Sequence, residues 1–193
     1  MVNDEKAPSL AGQLLIAMPN LADPNFWQSV VLLGVHSDSD GAFGLIVNRP
    51  LDVDLRDILS EIGQEVVDHE LPAVLAGGPV QPSQGFVVFQ SEDHQPSEDD
   101  IAISDSIAVS GNTETLARLT LDETNTRYFL LLGYAGWYPG QLEREIEENS
   151  WVVAPLDSDI LFDVPPHDRW AAALRSIGID PGTLVDAGSG EPS

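Results

Sequence analysis

Arg49 stands between Asn48 and Pro50 at the end of an apolar run. Proline biases the residue before it toward extended backbone, so this arginine is held in place. A fixed guanidinium can clasp a carboxylate or phosphate, and it can equally pair with one of the chain's own acids. Gly77-Gly78-Pro79 follows a second apolar stretch. Glycines there let the backbone come close to something, either to aim amide N–H groups at an anion or to reverse the chain tightly under a neighbour. His36 or Glu143 would supply an acid or base to such a site. Trp137, Trp151 and Trp170 each fall at an element junction. Tryptophans so placed form core rims or, where exposed, interface anchors that bury much area with little rotamer entropy lost.

Other constellations point to structure rather than chemistry. Asp157-Ser158-Asp159 could offer two carboxylates to a divalent ion, but it precedes Ile160-Leu161-Phe162 and suits a helix cap better. His36-Ser37-Asp38-Ser39-Asp40-Gly41 has part of a calcium-loop pattern. Its twelfth position is Val47 where a bidentate glutamate is needed, so the segment reads as a turn. The glutamates of 143–148 read as a solvated helix face. There is no G-x-x-x-x-G-K-[ST], no G-x-G-x-x-G after a strand and no G-x-S-x-G elbow. The four histidines, His36, His69, His94 and His167, share no ligand spacing. The expectation is therefore no catalytic residue, no metal and no cofactor.

The elements that must position these residues follow from hydrophobic pattern and turn chemistry. Apolar runs at 14–18, 30–35, 42–47, 74–76, 86–89, 101–103, 107–109, 128–132 and 151–153 predict strands. Asp38-Ser39-Asp40-Gly41 and Ser104-Asp105-Ser106 join two of these pairs as hairpins. Leu55, Ile58, Leu59 and Ile62 share a helix face, with Asp54 as cap and Gly63 as stop. Further helices are expected around Leu116 and Leu119, over 140–148, and over 169–177 after Pro165-Pro166. Residues 91–100 read as an exposed acidic excursion. Hairpins mixed with longer crossovers predict an α+β domain on a mixed sheet.

The chain has 193 residues, 32 Asp and Glu against 8 Lys and Arg, and a formal net charge of -24. Nucleic-acid affinity comes largely from cations that displace phosphate counterions, so this field disfavours direct DNA binding. With no cysteine there is no disulfide, thiolate metal site or cysteine nucleophile. No run reaches the roughly 18 apolar residues of a membrane span, and the polar, acidic start lacks signal-peptide character. The expected location is the cytoplasm, with no membrane contact.

Several blocks occur in order: Leu15-Ile16-Ala17-Met18-Pro19, Asp23-Pro24-Asn25-Phe26, Gly44-Leu45-Ile46-Val47-Asn48-Arg49-Pro50, Gly77-Gly78-Pro79, Gly133-Tyr134-Ala135-Gly136-Trp137, Gly140-Gln141-Leu142-Glu143 and Asp168-Arg169-Trp170. Over about residues 10–180 the chain resembles the bacterial YqgE/AlgH family. The resemblance implies one α+β domain with a mixed, partly barrel-like sheet and helices packed outside. It also carries the label of transcriptional regulator from one branch, and it brings no established catalytic residue, cofactor or substrate.

The expected organisation is a disordered start at 1–9, a domain over 10–185 and a flexible tail at 186–193. Two functions remain open. One is a cytoplasmic binding or regulatory module that affects transcription indirectly through a protein partner. Its contact surface would draw on Asn48, Arg49, Gly77, Gly78, Trp137, Gln141, Glu143 and Arg169. The other is an enzyme or sensor for a small anionic metabolite held by Arg49 and the amides of Gly77 and Gly78. Convergence of these residues on one cleft would favour a ligand site.

Overall fold

In the structure, a computed structural model, residues 8–92, 94–122 and 124–188 are described. The run Leu14-Leu15-Ile16-Ala17 forms the first strand, β1 (Leu14–Ala17), and all four side chains are buried. Unbroken burial of consecutive strand residues means that both faces of the sheet are covered. Leu14 and Ile16 join one core cluster, Leu15 and Ala17 another. Each fully buried leucine or isoleucine contributes about 1.5–3 kcal/mol.

β2 (Val30–Ser37) and β3 (Gly41–Ile46) form the expected hairpin. Its turn holds Asp40, whose carboxylate accepts from the hydroxyls of Ser37 and Ser39, which lower its pKa. That carboxylate serves the turn, as the turn reading requires. α1 (Leu55–Glu61) is capped by Asp54, which accepts from the Arg56 amide, and Gly63 beyond it is left-handed at φ 72°. β4 (Val74–Ala76) and β5 (Val80–Gln90) follow, then β6 (Ile101–Ala102) and β7 (Ile107–Ser110) as the second hairpin.

α2 (Thr113–Leu121) is capped by Asn112. β8 (Tyr128–Trp137) runs five residues further than the apolar segment 128–132 indicates. α3 (Gln141–Glu147), β9 (Trp151–Ala154), α4 (Ser158–Phe162), α5 (Arg169–Ser176) and α6 (Pro181–Gly188) complete the chain. Asp157 caps α4 through bonds from the Asp159 and Ile160 amides, so Asp157-Ser158-Asp159 is a cap. The segments expected to be loose fall in large part outside the described residues. Of the rest, Ser9 donates to the His36 carbonyl and α6 reaches Gly188.

Across the sheet the order is β6-β7-β5-β8-β3-β2-β1-β9, with β4 pairing parallel to β8 and the other described pairs antiparallel. The fold is thus α+β on a nine-stranded mixed sheet. The sheet is open, because β6 and β9 lie at opposite ends, so the partly barrel-like form implied by the resemblance holds only loosely. Helices remove the need to curl shut. Trp170, Ala173 and Leu174 of α5 cover one face of β1 and β2, while Leu142 of α3 packs on the other.

β8 is the pivot. One edge pairs with β5; the other pairs first with β4, through Leu130–Leu132, and then with β3, through Ala135–Trp137. Gly77 and Gly78 lie where that edge changes partner. A Cβ on Gly77 would come within 2.3 Å of the Gly133 oxygen, and one on Gly78 within 2.1 Å of the Tyr134 backbone. Only glycine lets the backbones approach this closely.

Candidate functional site

The eight residues singled out from sequence separate into distinct places. Asn48 accepts from the Val30 amide at 2.9 Å and donates to the Gln28 carbonyl at 2.8 Å. It thereby closes the loop in which Gln28 takes a positive φ of 50°. Arg49 donates to the Trp27 carbonyl at 2.7 Å, and burial lowers its pKa against the pull of Asp23. Behind these side chains the backbones meet: the Ala76 amide donates to the Arg49 carbonyl and the Ile46 amide to the Gly77 carbonyl, both at 2.7 Å. The Gly77 amide is itself bonded to the Leu132 carbonyl. At this position close backbone approach is what the glycines provide.

Trp137, Gln141 and Glu143 belong to a second group around α3. Glu145 accepts the indole N–H groups of Trp137 and Trp151 on one oxygen, at 2.9 and 2.8 Å, and the Gln141 amide on the other, at 2.9 Å. Trp137, Trp151 and Trp170 are all buried core residues. Glu143 lies 2.6 Å from Nε2 of His36. The Leu10 amide donates to Nδ1 of the same ring at 3.0 Å, so Nε2 carries the proton and donates to Glu143. Glu143 is held below the usual carboxylate range: desolvation opposes this, while its own amide, His36 and Arg144 favour the charge. The glutamates at 143 and 145 are therefore bonded inward, whereas 147 and 148 face solvent.

Arg169, whose Nη1 bonds the carbonyl of Val47 just before Asn48, stands on the wall of a cleft of about 810 Å³. Three distant segments form this cleft: 69–75 leading into β4, 119–122 and 124–129 from the end of α2 into β8, and 162–169 from α4 into α5. Its apolar lining includes Leu75, Leu119, Phe129, Phe162 and Pro165. Arg169 is only 5% exposed. Its Nε donates to the Val164 carbonyl at 2.9 Å, its Nη1 to the Val47 carbonyl, and its guanidinium lies 5.3 Å from the Phe129 ring. Burial pushes its pKa down to about 10, so it remains charged at neutral pH. Among the described residues no carboxylate forms an ion pair with it.

The polar lining was not singled out from sequence. Arg127 donates to Asp163 at 2.5 Å and to Gln90 at 3.2 Å, and it lies 5.4 Å from the Phe162 ring. The Tyr128 phenol, pushed up to about 12 by burial, stays neutral and can donate. Asp122 accepts from the Thr124 hydroxyl, the Thr124 amide and His94, which together hold its carboxyl well below the ordinary range. Hydroxyl and imidazole bind the same carboxylate, so the ring is not placed to take the hydroxyl's proton, and no activated nucleophile results. Nor do the described residues contain a group of three or more His, Asp or Glu able to hold a metal ion. What the cleft offers is a buried cation, an exchangeable ion pair, hydroxyl donors and an apolar body. No short motif announces it, because its three segments are far apart in the chain.

A family model described as AlgH-like (DUF179) matches residues 14–182. A UPF0301 protein of Magnetococcus marinus is 40% identical over 185 residues, covering 96% of this chain and 98% of the relative. One from Anaeromyxobacter dehalogenans is 41% identical over 189 residues, with 94% and 95% covered. The solution structure of the AlgH protein from Pseudomonas aeruginosa superposes with a TM-score of 0.74 at 34% identity, over 97% of this chain and 98% of that one. A crystal structure of a Corynebacterium diphtheriae protein gives 0.67 at 25% identity, with 87% and 86% covered.

Proposed function

The chain belongs to the AlgH-like family, and from that premise we propose that it is a binding module for a small organic anion, held in the cleft around Arg169. The observation that carries this reading is the guanidinium itself. It is buried, charged, on a cleft wall, and without a carboxylate partner among the described residues. A desolvated charge is costly unless an opposite charge meets it, and Coulombic attraction is strongest where water is excluded. A chain with 32 acidic residues that brings none of the described ones to this cation leaves the counter-charge to a ligand. The cleft's volume and its apolar lining with few convergent polar groups match those of small-molecule sites. His36 and Glu143, the acid and base considered from sequence, bond to each other outside this cleft.

The test is an NMR titration of the full chain with benzoate and with benzamide, its neutral counterpart of the same shape. Benzoate is expected to shift resonances lining the cleft, and benzamide to bind at least tenfold more weakly, as a lost charge-assisted hydrogen bond implies. Arg169→Gln should abolish the benzoate response. Because Arg169 also holds the Val47 and Val164 carbonyls, circular dichroism must show that variant folded; Tyr128→Phe, which deletes only a hydroxyl, is the milder probe. No benzoate response in the wild type, or equal responses to both compounds, would overturn the reading.

A regulatory contact with a protein partner has separate support in Trp27. This residue is 63% exposed and borders a small apolar pocket formed with Met18, Trp170 and Leu184.

A further inference from the structure

The cleft holds a second guanidinium, and its relation to Arg169 is specific. Arg169 lies against Phe129, Phe129 packs on Phe162 with ring centroids 5.5 Å apart, and Arg127 lies against Phe162. All four side chains line the cleft. The two cations thus bracket one aromatic pair, with an apolar surface between them.

Their commitments differ. Arg169 is fixed by two backbone carbonyls through Nε and Nη1, while its Nη2 has no hydrogen-bond partner among the described residues. Arg127 is paired with Asp163, and the two side chains remain 35% and 54% exposed. Exposed pairs of this kind are weak and readily exchanged. Two other carboxylates line the cleft. Asp122 is already engaged by His94 and Thr124, and Glu70 is exposed to water, which leaves Asp163 as the competitor for Arg127.

We propose that the cleft is built for an organic dianion, one charged group on Arg169 and the other on Arg127 in place of Asp163, with a short apolar body lying along Phe129 and Phe162. This rests on the anion-binding reading and narrows it to molecules with two separated anionic groups, such as dicarboxylates or carboxylate-phosphates. A guanidinium presents planar, paired donors that match either group. Engagement of the second group frees Asp163 to water, where a carboxylate at the cleft rim is well solvated.

The experiment compares terephthalate with benzoate by calorimetry on the full chain, in the wild type, Arg127→Gln and Asp163→Asn. Terephthalate is expected to bind at least tenfold more tightly than benzoate to the wild type. Arg127→Gln should erase that ratio, and Asp163→Asn, which removes the competing charge, should widen it severalfold. Equal affinities in the wild type, a ratio that survives Arg127→Gln, or one unmoved by Asp163→Asn would each overturn the dianion proposal. If benzoate still binds through Arg169 in those cases, the simpler anion reading stands; if neither compound binds, both fall.

Discussion

Glu145 holds two tryptophans at once, with both indole N–H groups on a single oxygen. Replacement by glutamine keeps the shape but turns one oxygen into a donor, which then faces the Gln141 amide or an indole. One buried donor must go unsatisfied, so Glu145→Gln is expected to lower stability by about 1–3 kcal/mol. The neighbouring exposed Glu147→Gln should stay within about 0.5 kcal/mol of the wild type. Urea unfolding followed by tryptophan fluorescence measures both, and equal effects would refute the assignment. From sequence, 143, 145, 147 and 148 look alike, four acids on one short helix. What separates them is which way a helix face turns toward strands distant in the chain, and that information is tertiary. Arg169 shows the same limit: its residue type was legible, its lack of a described carboxylate partner was not.

At the level of elements, pattern and punctuation went far. The hairpins, the Asp54 cap, the Gly63 stop and the α5 helix all stand where local chemistry puts them. The far half of β8, the start of β5 and the whole of α6 escaped it. β5 begins at Val80, six residues before its apolar core, because the intervening Gln81-Pro82-Ser83-Gln84 is exposed and its pairing is irregular between Val80 and Gly85. α6 starts at Pro181-Gly182, a pair that reads as loop; Asp180, accepting from the Gly182 amide, initiates it instead. Gly77-Gly78 left two meanings open, and the contact with Gly133 and Tyr134 favours tight packing. Gly78→Ala, with φ at 154° and no room for a Cβ, is therefore expected to cost about 3 kcal/mol or to prevent folding. Gly63→Ala, strained but unobstructed, should cost about 1 kcal/mol. Thermal denaturation of the two variants decides the matter, and a mild Gly78→Ala would contradict the close approach.

For the whole molecule, the excess of 24 negative charges acts on stability and on encounter. Self-repulsion favours expansion, and salt screens it within about 10 Å at 0.1 M. The melting temperature should accordingly rise by several degrees between low salt and about 0.5 M sodium chloride. Calorimetry at neutral pH tests this, and a flat or falling trend would mean that local ion pairs outweigh the net field. On the anion-binding reading proposed above, the same field would slow the ligand's approach, and Arg127 and Arg169 would act at short range, inside low-dielectric walls. There is also an order in time built into β8. The strand that unites β3, β4 and β5 is encoded at 128–137, after all three of its partners and before only β9. A ribosome making this protein from its N-terminus releases seven of the sheet's nine strands before the piece that joins them exists. Until then the β2–β3 hairpin and the β5–β7 strands present bare edges to whatever else is in the cell, and a chaperone's hold over that interval would matter more here than in a fold closed by local contacts.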